Sequence, residues 1–128
     1  MEITIRVSPG ELLDKITILE IKSERVDDVA KLENIRHELS TLEASWNETN
    51  SERDDLRDLR RELREINEIL WDIEDHIRKH ESARRFDDQF IELARQVYIT
   101  NDRRAAVKRR VNELLGSSIV EEKHYAPY

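Results

Sequence analysis

The chain has 128 residues, a formal net charge of −7 and no cysteine. This length predicts one domain, spanning residues 1–128, and the acidic balance disfavours general binding of nucleic acid. The lack of cysteine excludes disulfides, thiolate metal sites and a catalytic thiol. Charged residues make up 40% of the chain, with two glycines and two prolines, a composition typical of long helices.

Polar and apolar side chains alternate at the start of the chain, which predicts a half-buried strand over residues 2–7. Its apolar side would carry Ile3, Ile5 and Val7, and Ile119 and Val120 near the other end could pair with it. The first ten residues are charged, contain no long apolar run and lead quickly into a turn. In these respects they are unlike a signal peptide or a membrane span. We therefore expect a cytoplasmic protein that does not enter a membrane.

A capping box follows this segment. Ser8 is suited to the N-cap, Pro9 to the first helical position and Glu11 to the third. The pattern predicts a helix from Pro9 to about Val26. Its apolar residues lie on two sides, which indicates a central helix with neighbours on both.

Two further helices are predicted from apolar residues spaced by three and four. The first run consists of Val29, Leu32, Ile35, Leu39, Leu42 and Trp46. The second consists of Leu56, Leu59, Leu63, Ile66, Leu70, Ile73, Ile77 and His80. A polar turn over residues 47–55 separates them, so we predict a long antiparallel coiled-coil hairpin over about residues 28–81.

The apolar pattern restarts at Phe86 and predicts another helix. Residues 100–102 could cap a last helix, or the helix could run through with a bend. Gly116 is a stop signal. The predicted fold is therefore mainly α, a helical bundle with a long hairpin and a short terminal β pair as an option.

The stretch Leu70–His80 (LWDIEDHIRKH) divides into two faces of the predicted helix. Trp71 lies off the hairpin seam. We therefore predict that it packs at a second contact surface, against another element or a second chain. Its neighbouring carboxylates could be a solvated face or a ligand-binding face. His76 and His80 have the spacing of two metal ligands on a helix, but a suitable third ligand is lacking. We predict no metal or cofactor, and a seam closed by His80.

A basic cluster occupies residues 103–110. Arg104 is in line with the buried face of its helix, and a guanidinium there needs a carboxylate or a phosphate. One interpretation is an internal network with one of four carboxylates, Asp72, Asp75, Glu20 or Asp14. Another is a pocket for a phosphate or carboxylate ligand near a helix N-terminus at residue 102. A third, a stripe facing nucleic acid, lacks interleaved aromatic residues.

The tail, EEKHYAPY, places Tyr125 and Tyr128 beside a histidine. These side chains could dock on the chain's own bundle or on another protein. Neither a Gly-rich phosphate loop nor a Ser-His-Asp order is present in the sequence.

Five stretches together resemble a family of small bacterial proteins of unknown function: SPGELLDKITILEIKSERV, LWDIED, FIELARQVY, TNDRRAAVKRRVN and GSSIVEEKHY. The resemblance spans nearly the whole chain and implies a bacterial origin, but it brings no activity. The first helix is also similar, more weakly, to that of helical chorismate mutases. That likeness implies that Arg25, Arg104 and Lys108 could stand loosely for the cations of such a site.

These observations predict a non-enzymatic module that binds a protein or a small anionic ligand and associates as a homodimer. A protein partner would bind at the Trp71 face or at the C-terminal tail. The alternative is a small all-helical enzyme acting on an anionic metabolite, with arginines from different helices around one pocket. The predicted ligand-binding residues are Arg103, Arg104, Lys108, Trp71, Asp75 and Arg25.

Overall fold

The computed structural model describes residues 1–49 and 53–128, which contain four helices. They are α1 (Pro9–Arg25), α2 (Val29–Thr49), α3 (Asp54–Ala83) and α4 (Asp88–Leu114). The predicted mainly helical fold is therefore confirmed. The middle of the predicted polar turn, residues 50–52, lies outside the described residues.

The start of α1 is the predicted cap. The backbone N–H of Glu11 donates to Ser8 Oγ over 3.2 Å, and Pro9 occupies the first turn. The helix contacts α2, α3 and α4 and has fully buried apolar side chains such as Leu13 and Ile16. The prediction of a central helix is confirmed.

The predicted pairing of the second helix with the third is wrong. Within the described residues, α2 packs along α1 and α3 packs along α4, while α2 and α3 do not pack along each other. The seam of α3 is covered by α1 and α4 instead. Leu63 and Ile66 share the core cluster with Leu13 of α1 and Val107 of α4.

The core lies where the α1–α2 pair meets the α3–α4 pair. Its buried members are Leu13, Ile16, Trp46, Leu56, Leu63, Ile66, Val107 and Val111. Trp46 and Leu56, which flank the turn between α2 and α3, both belong to this cluster. The core thus joins all four helices although α2 and α3 are not neighbours along their length.

The fourth helix runs without interruption from Asp88 to Leu114. Its N-cap is Asp87, whose carboxylate accepts from the N–H of Phe90 over 3.1 Å. Of the two predicted options, a new helix starting near residue 102 is wrong, so no helix N-terminus is available there for an anion. The helix ends before Gly116, which has a φ of +63°, and the predicted stop is confirmed.

The predicted terminal strand pair is absent from the described residues, because residues 1–7 and 119–128 have no regular secondary structure. Ile3 and Ile5 are 78% and 70% exposed. The two ends of the chain nevertheless meet. Ser8 Oγ donates a hydrogen bond to Glu121 Oε1 over 3.1 Å.

Candidate anion-binding groove

The start of α1 lies very close to α4. The backbone N–H of Gly10 donates to Asn112 Oδ1 over 2.7 Å. A Cβ atom at residue 10 would lie 2.5 Å from the carbonyl oxygen of Lys108 and 2.8 Å from Asn112 Oδ1. Only a glycine allows this approach, since real Cβ atoms do not come within 3.0 Å of such atoms.

The Lys108 side chain fills the space beside this contact. Its ammonium donates to Glu11 over 2.6 Å and to Glu121 over 3.2 Å, and it lies 3.9 Å from Asp14 Oδ2. The side chain is only 14% exposed. Burial works to lower the pKa of Lys108, but the surrounding carboxylates outweigh it and raise that pKa.

The carboxylates of this junction also have hydrogen-bond partners. The hydrogen bond from Lys108 is the main cause of a lowered pKa at Glu11. Asn67 Nδ2 of α3 donates to Asp14 Oδ1 over 2.9 Å and to Thr17 Oγ1 over 3.1 Å. We define this set as the α1–α4 junction: Gly10, Glu11, Asp14, Asn67, Lys108, Asn112 and Glu121. Its polar groups bind one another, so it has a structural role.

A groove of about 1300 Å³ opens next to the junction, between α4 and the C-terminal tail. Asp102 of α4 holds the tail in place. Its carboxylate accepts from Lys123 Nζ over 2.6 Å and from the Tyr128 hydroxyl over 2.5 Å. These two hydrogen bonds lower the pKa of Asp102. The rings of Tyr98 and Tyr128 meet edge to face with centroids 5.2 Å apart.

The side-chain charges that line the groove are four positive and four negative. Its cations are Arg104, Lys108, Arg109 and Lys123, and its carboxylates are Asp102, Glu113, Glu121 and Glu122. Lys123 pairs with Asp102, Lys108 with Glu121, and Arg109 with Glu113 at 3.4 Å. Across residues 1–49 and 53–128, the half-buried Arg104 has no carboxylate partner. The groove therefore contains one unmatched guanidinium.

The six predicted ligand-binding residues do not form one site. Arg104 and Lys108 line the groove, whereas Arg103 is exposed and lies outside its lining. Of the three interpretations of the basic cluster, the internal network does not include Arg104 among the described residues. Asp72, for example, binds Arg25, and Glu20 binds two arginines of α3.

The other predicted residues gather at the end of α1. The Arg25 guanidinium lies 5.8 Å from the centre of the Trp71 ring and donates to Asp72 over 2.6 Å. Asp75 lies near enough to help raise the pKa of Arg25, of which the main cause is the hydrogen bond to Asp72. Trp71 thus finds its second contact within the same chain.

Two groove residues, Tyr98 and Asp102, were not among the predicted site residues. Asp102 resembled a helix cap in the sequence, whereas it is a mid-helix carboxylate that binds the tail. The signal available was the pair of tail side chains, Lys123 and Tyr128, which suit a carboxylate partner. Contacts across 21 and 26 residues are not visible in a local pattern.

The two histidines of α3 have different surroundings, because His76 is exposed and His80 is buried. The Nδ1 of His80 lies 2.9 Å from the backbone oxygen of His76, to which it can donate. The His80 ring is buried, and its centroid lies 6.3 Å from that of the Phe90 ring. His80 therefore closes the apolar stripe of α3, as predicted. Over the described parts of the chain, no group of three or more possible ligands is placed to hold a metal ion.

The fold and the groove define a four-helix protein in which the polar groups of the α1–α4 junction bind one another. An open groove lies beside the junction, and its Arg104 has no carboxylate partner among the described residues. The chain belongs to the family described as "Family of unknown function (DUF6165)", which matches residues 3–127. Comparison with curated proteins and with solved structures gave no match. In the described part of the chain, every helix is too short or too polar to cross a membrane.

Proposed function

We propose that this protein is a non-enzymatic binding module that takes a small anionic ligand in the groove between α4 and the tail. The observation that carries the proposal is Arg104, the lining cation without a carboxylate partner among the described residues. A guanidinium keeps its charge at any physiological pH and presents a planar fork of donors to a carboxylate or phosphate. An anion bound here would give the Arg104 guanidinium the partner that it lacks among the described residues.

The rest of the lining indicates the shape of the ligand. Tyr98, Tyr125 and Tyr128 present aromatic surface to the groove, and Val97 and Val120 add aliphatic surface. Ligand sites combine such apolar walls with a few well-placed polar groups. The proposed ligand therefore joins an acidic group to a flat or apolar body.

The pKa shifts in the groove favour binding over the alternative, a small helical enzyme. General acid–base catalysis works best when the pKa of the catalytic group lies near the working pH. In the groove, the surrounding charges raise the pKa of Lys108, hydrogen bonding lowers that of Asp102, and its bond to Asp102 raises that of Tyr128. Each of these shifts moves the group further from neutral pH.

A thermal-shift and calorimetric titration with phenyl phosphate, benzoate and inorganic phosphate tests the proposal. We expect phenyl phosphate to raise the melting temperature and Arg104→Gln to abolish the rise. At ten times the dissociation constant the ligand adds about 1.4 kcal/mol, which corresponds to a shift of roughly 5 °C for a domain of this size.

Arg103→Gln is the matched control, because it removes the same charge from the neighbouring residue outside the groove. Equal losses in the two variants would indicate unspecific attraction of anions, and the proposal would fail. It would also fail if none of the three anions stabilised the unmodified protein at millimolar concentration. A cytoplasmic location stays a prediction.

A further inference from the structure

The N-terminal segment, residues 2–7, alternates polar and apolar side chains as a strand does. No other strand pairs with it in the described chain. Ile3 and Ile5 are largely exposed, and within the described chain no backbone ladder includes this segment. An extended stretch with free N–H and C=O groups and one apolar side is suited to pair with another strand. Its partner would be a strand whose side chains match those of residues 2–7.

The segment is complementary to itself. When two copies of residues 2–6 lie antiparallel and centred on Thr4, each Glu2 faces an Arg6. In the same arrangement each Ile3 faces an Ile5, and Thr4 faces Thr4. Opposite charges and apolar pairs directly across an antiparallel ladder stabilise it. All the charged pairs would lie on one face and all the isoleucine pairs on the other, because side chains alternate along a strand.

We propose that residues 2–7 form an antiparallel two-stranded interface with the same residues of a second copy of this chain. The occupant is a second copy because the sequence supplies both charges of each pair. The chain's own tail is a poorer partner. It reaches this region at the Ser8–Glu121 hydrogen bond but forms no ladder with residues 2–7.

The bundle also offers a surface for the apolar face of the paired strands. Two strands alone are marginally stable in water and need something to pack against. Ile119, which lies outside the groove lining, is 38% exposed. It comes two residues before Glu121, which binds Ser8, so it lies near the end of the segment. The isoleucine side of the strand pair can cover it.

This inference does not depend on the groove. The Arg104 variants leave residues 2–7 unchanged, and the variants below leave the groove lining unchanged. The N-terminal segment contributes nothing to the core cluster, so variants in it should fold normally. Failure of one proposal is therefore distinguishable from failure of the other.

Charge reversal tests the register. Glu2→Arg would place arginine opposite arginine twice in the dimer, and Arg6→Glu would place glutamate opposite glutamate twice. We expect each single variant to weaken the dimer roughly tenfold, as two like-charge pairs replace two opposite ones. The double variant E2R/R6E restores both pairs and should dimerise like the unmodified protein. The measurement is sedimentation velocity over a concentration series.

A cross-link tests the geometry independently. The chain has no cysteine, so a single engineered thiol reports one contact. In an antiparallel ladder directly opposite Cα atoms lie about 4.5–5.5 Å apart, which is within the range of about 4.4–6.8 Å that disulfides span. We expect T4C to form a covalent dimer under mild oxidation. S40C, an exposed position on α2, is the control and should remain mostly monomeric.

A monomer at every concentration tested would overturn the inference. A dimer that is unaffected by the single charge reversals would also overturn it, because the interface would then lie elsewhere or have another register. Equal cross-linking of T4C and S40C would show random collision and count against it in the same way.

Discussion

Arg104 and Lys108 lie one helical turn apart on α4 and in very different surroundings. Lys108 is enclosed in the α1–α4 junction by three carboxylates, and α1 approaches so closely that residue 10 must be glycine. Arg104 lines the open groove, and no described carboxylate binds it. A basic cluster in a sequence can thus contain one cation that stabilises the fold and another that remains available for a ligand.

The largest effect on stability is expected at the closest contact of the junction. Gly10→Ala places a methyl group 2.5 Å from the carbonyl oxygen of Lys108 and displaces the Asn112 hydrogen bond. We expect a loss of about 2–4 kcal/mol in the free energy of unfolding, from overpacking and a lost buried hydrogen bond. Urea denaturation followed by circular dichroism measures it.

Ser40→Ala, on the exposed side of α2, is the control for that experiment and should change little. If Gly10→Ala left stability within about 0.5 kcal/mol of the unmodified protein, the close approach of α1 and α4 would be refuted.

The second prediction concerns Lys108→Met, which removes the cation of the junction. This variant leaves Glu11 and the buried Asp14 without their ammonium partner. We expect a loss of about 2 kcal/mol, less than for a fully buried pair because Glu11 keeps some contact with water. The same urea titration measures it. A loss as small as that expected for a surface lysine would place Lys108 outside the core of the junction.

The pH dependence of stability sharpens this second prediction. The lowered pKa of Glu11 means that its contribution is fully present above its ordinary value of 4.5 and is lost as the pH falls through the lower folded value. The raised pKa of Lys108 adds stability that is lost only above about 10.5. We expect the unmodified protein to lose stability on acidification below pH 4.5 more steeply than Lys108→Met does. Equal slopes would contradict the pairing of Glu11 with Lys108.

The third prediction concerns the wall of the groove. Asp102→Ala removes the acceptor that binds both Lys123 and Tyr128. We expect the tail to detach from α4 and cleavage by chymotrypsin after Tyr125 to become several-fold faster, with little change in the unfolding midpoint. Asp88→Ala removes a carboxylate at the other end of α4 and should leave the cleavage rate unchanged. Equal cleavage in both variants would mean that Asp102 does not hold the tail.

The sequence predicts the junction only in part. Ser8 caps α1 as the pattern indicates, but Glu11 does not complete the capping box, because its carboxylate binds the buried ammonium of Lys108 instead. A glycine inside a helix was the available sign of a close contact. Its partner, 102 residues away, could not be read from local spacing.

The helices themselves were predictable, whereas their partners were not. Spacings of three and four show that a helix has an apolar stripe, but they do not show which helix covers it. The apolar stripe of α4 is interrupted by polar residues such as Thr100 and Arg104. The packing of the core nevertheless places α4 along α3.

The smallest effect on stability is expected for the residue on which the proposed function depends. Arg104→Gln breaks no ion pair in the described structure, so the free energy of unfolding should change by less than about 0.5 kcal/mol. The same variant should lose the response to phenyl phosphate. A loss of stability comparable to that of Lys108→Met would show that Arg104 has a structural partner after all. Unchanged stability with a lost ligand response would separate the two cations of this helix, Lys108 holding the fold and Arg104 serving the groove.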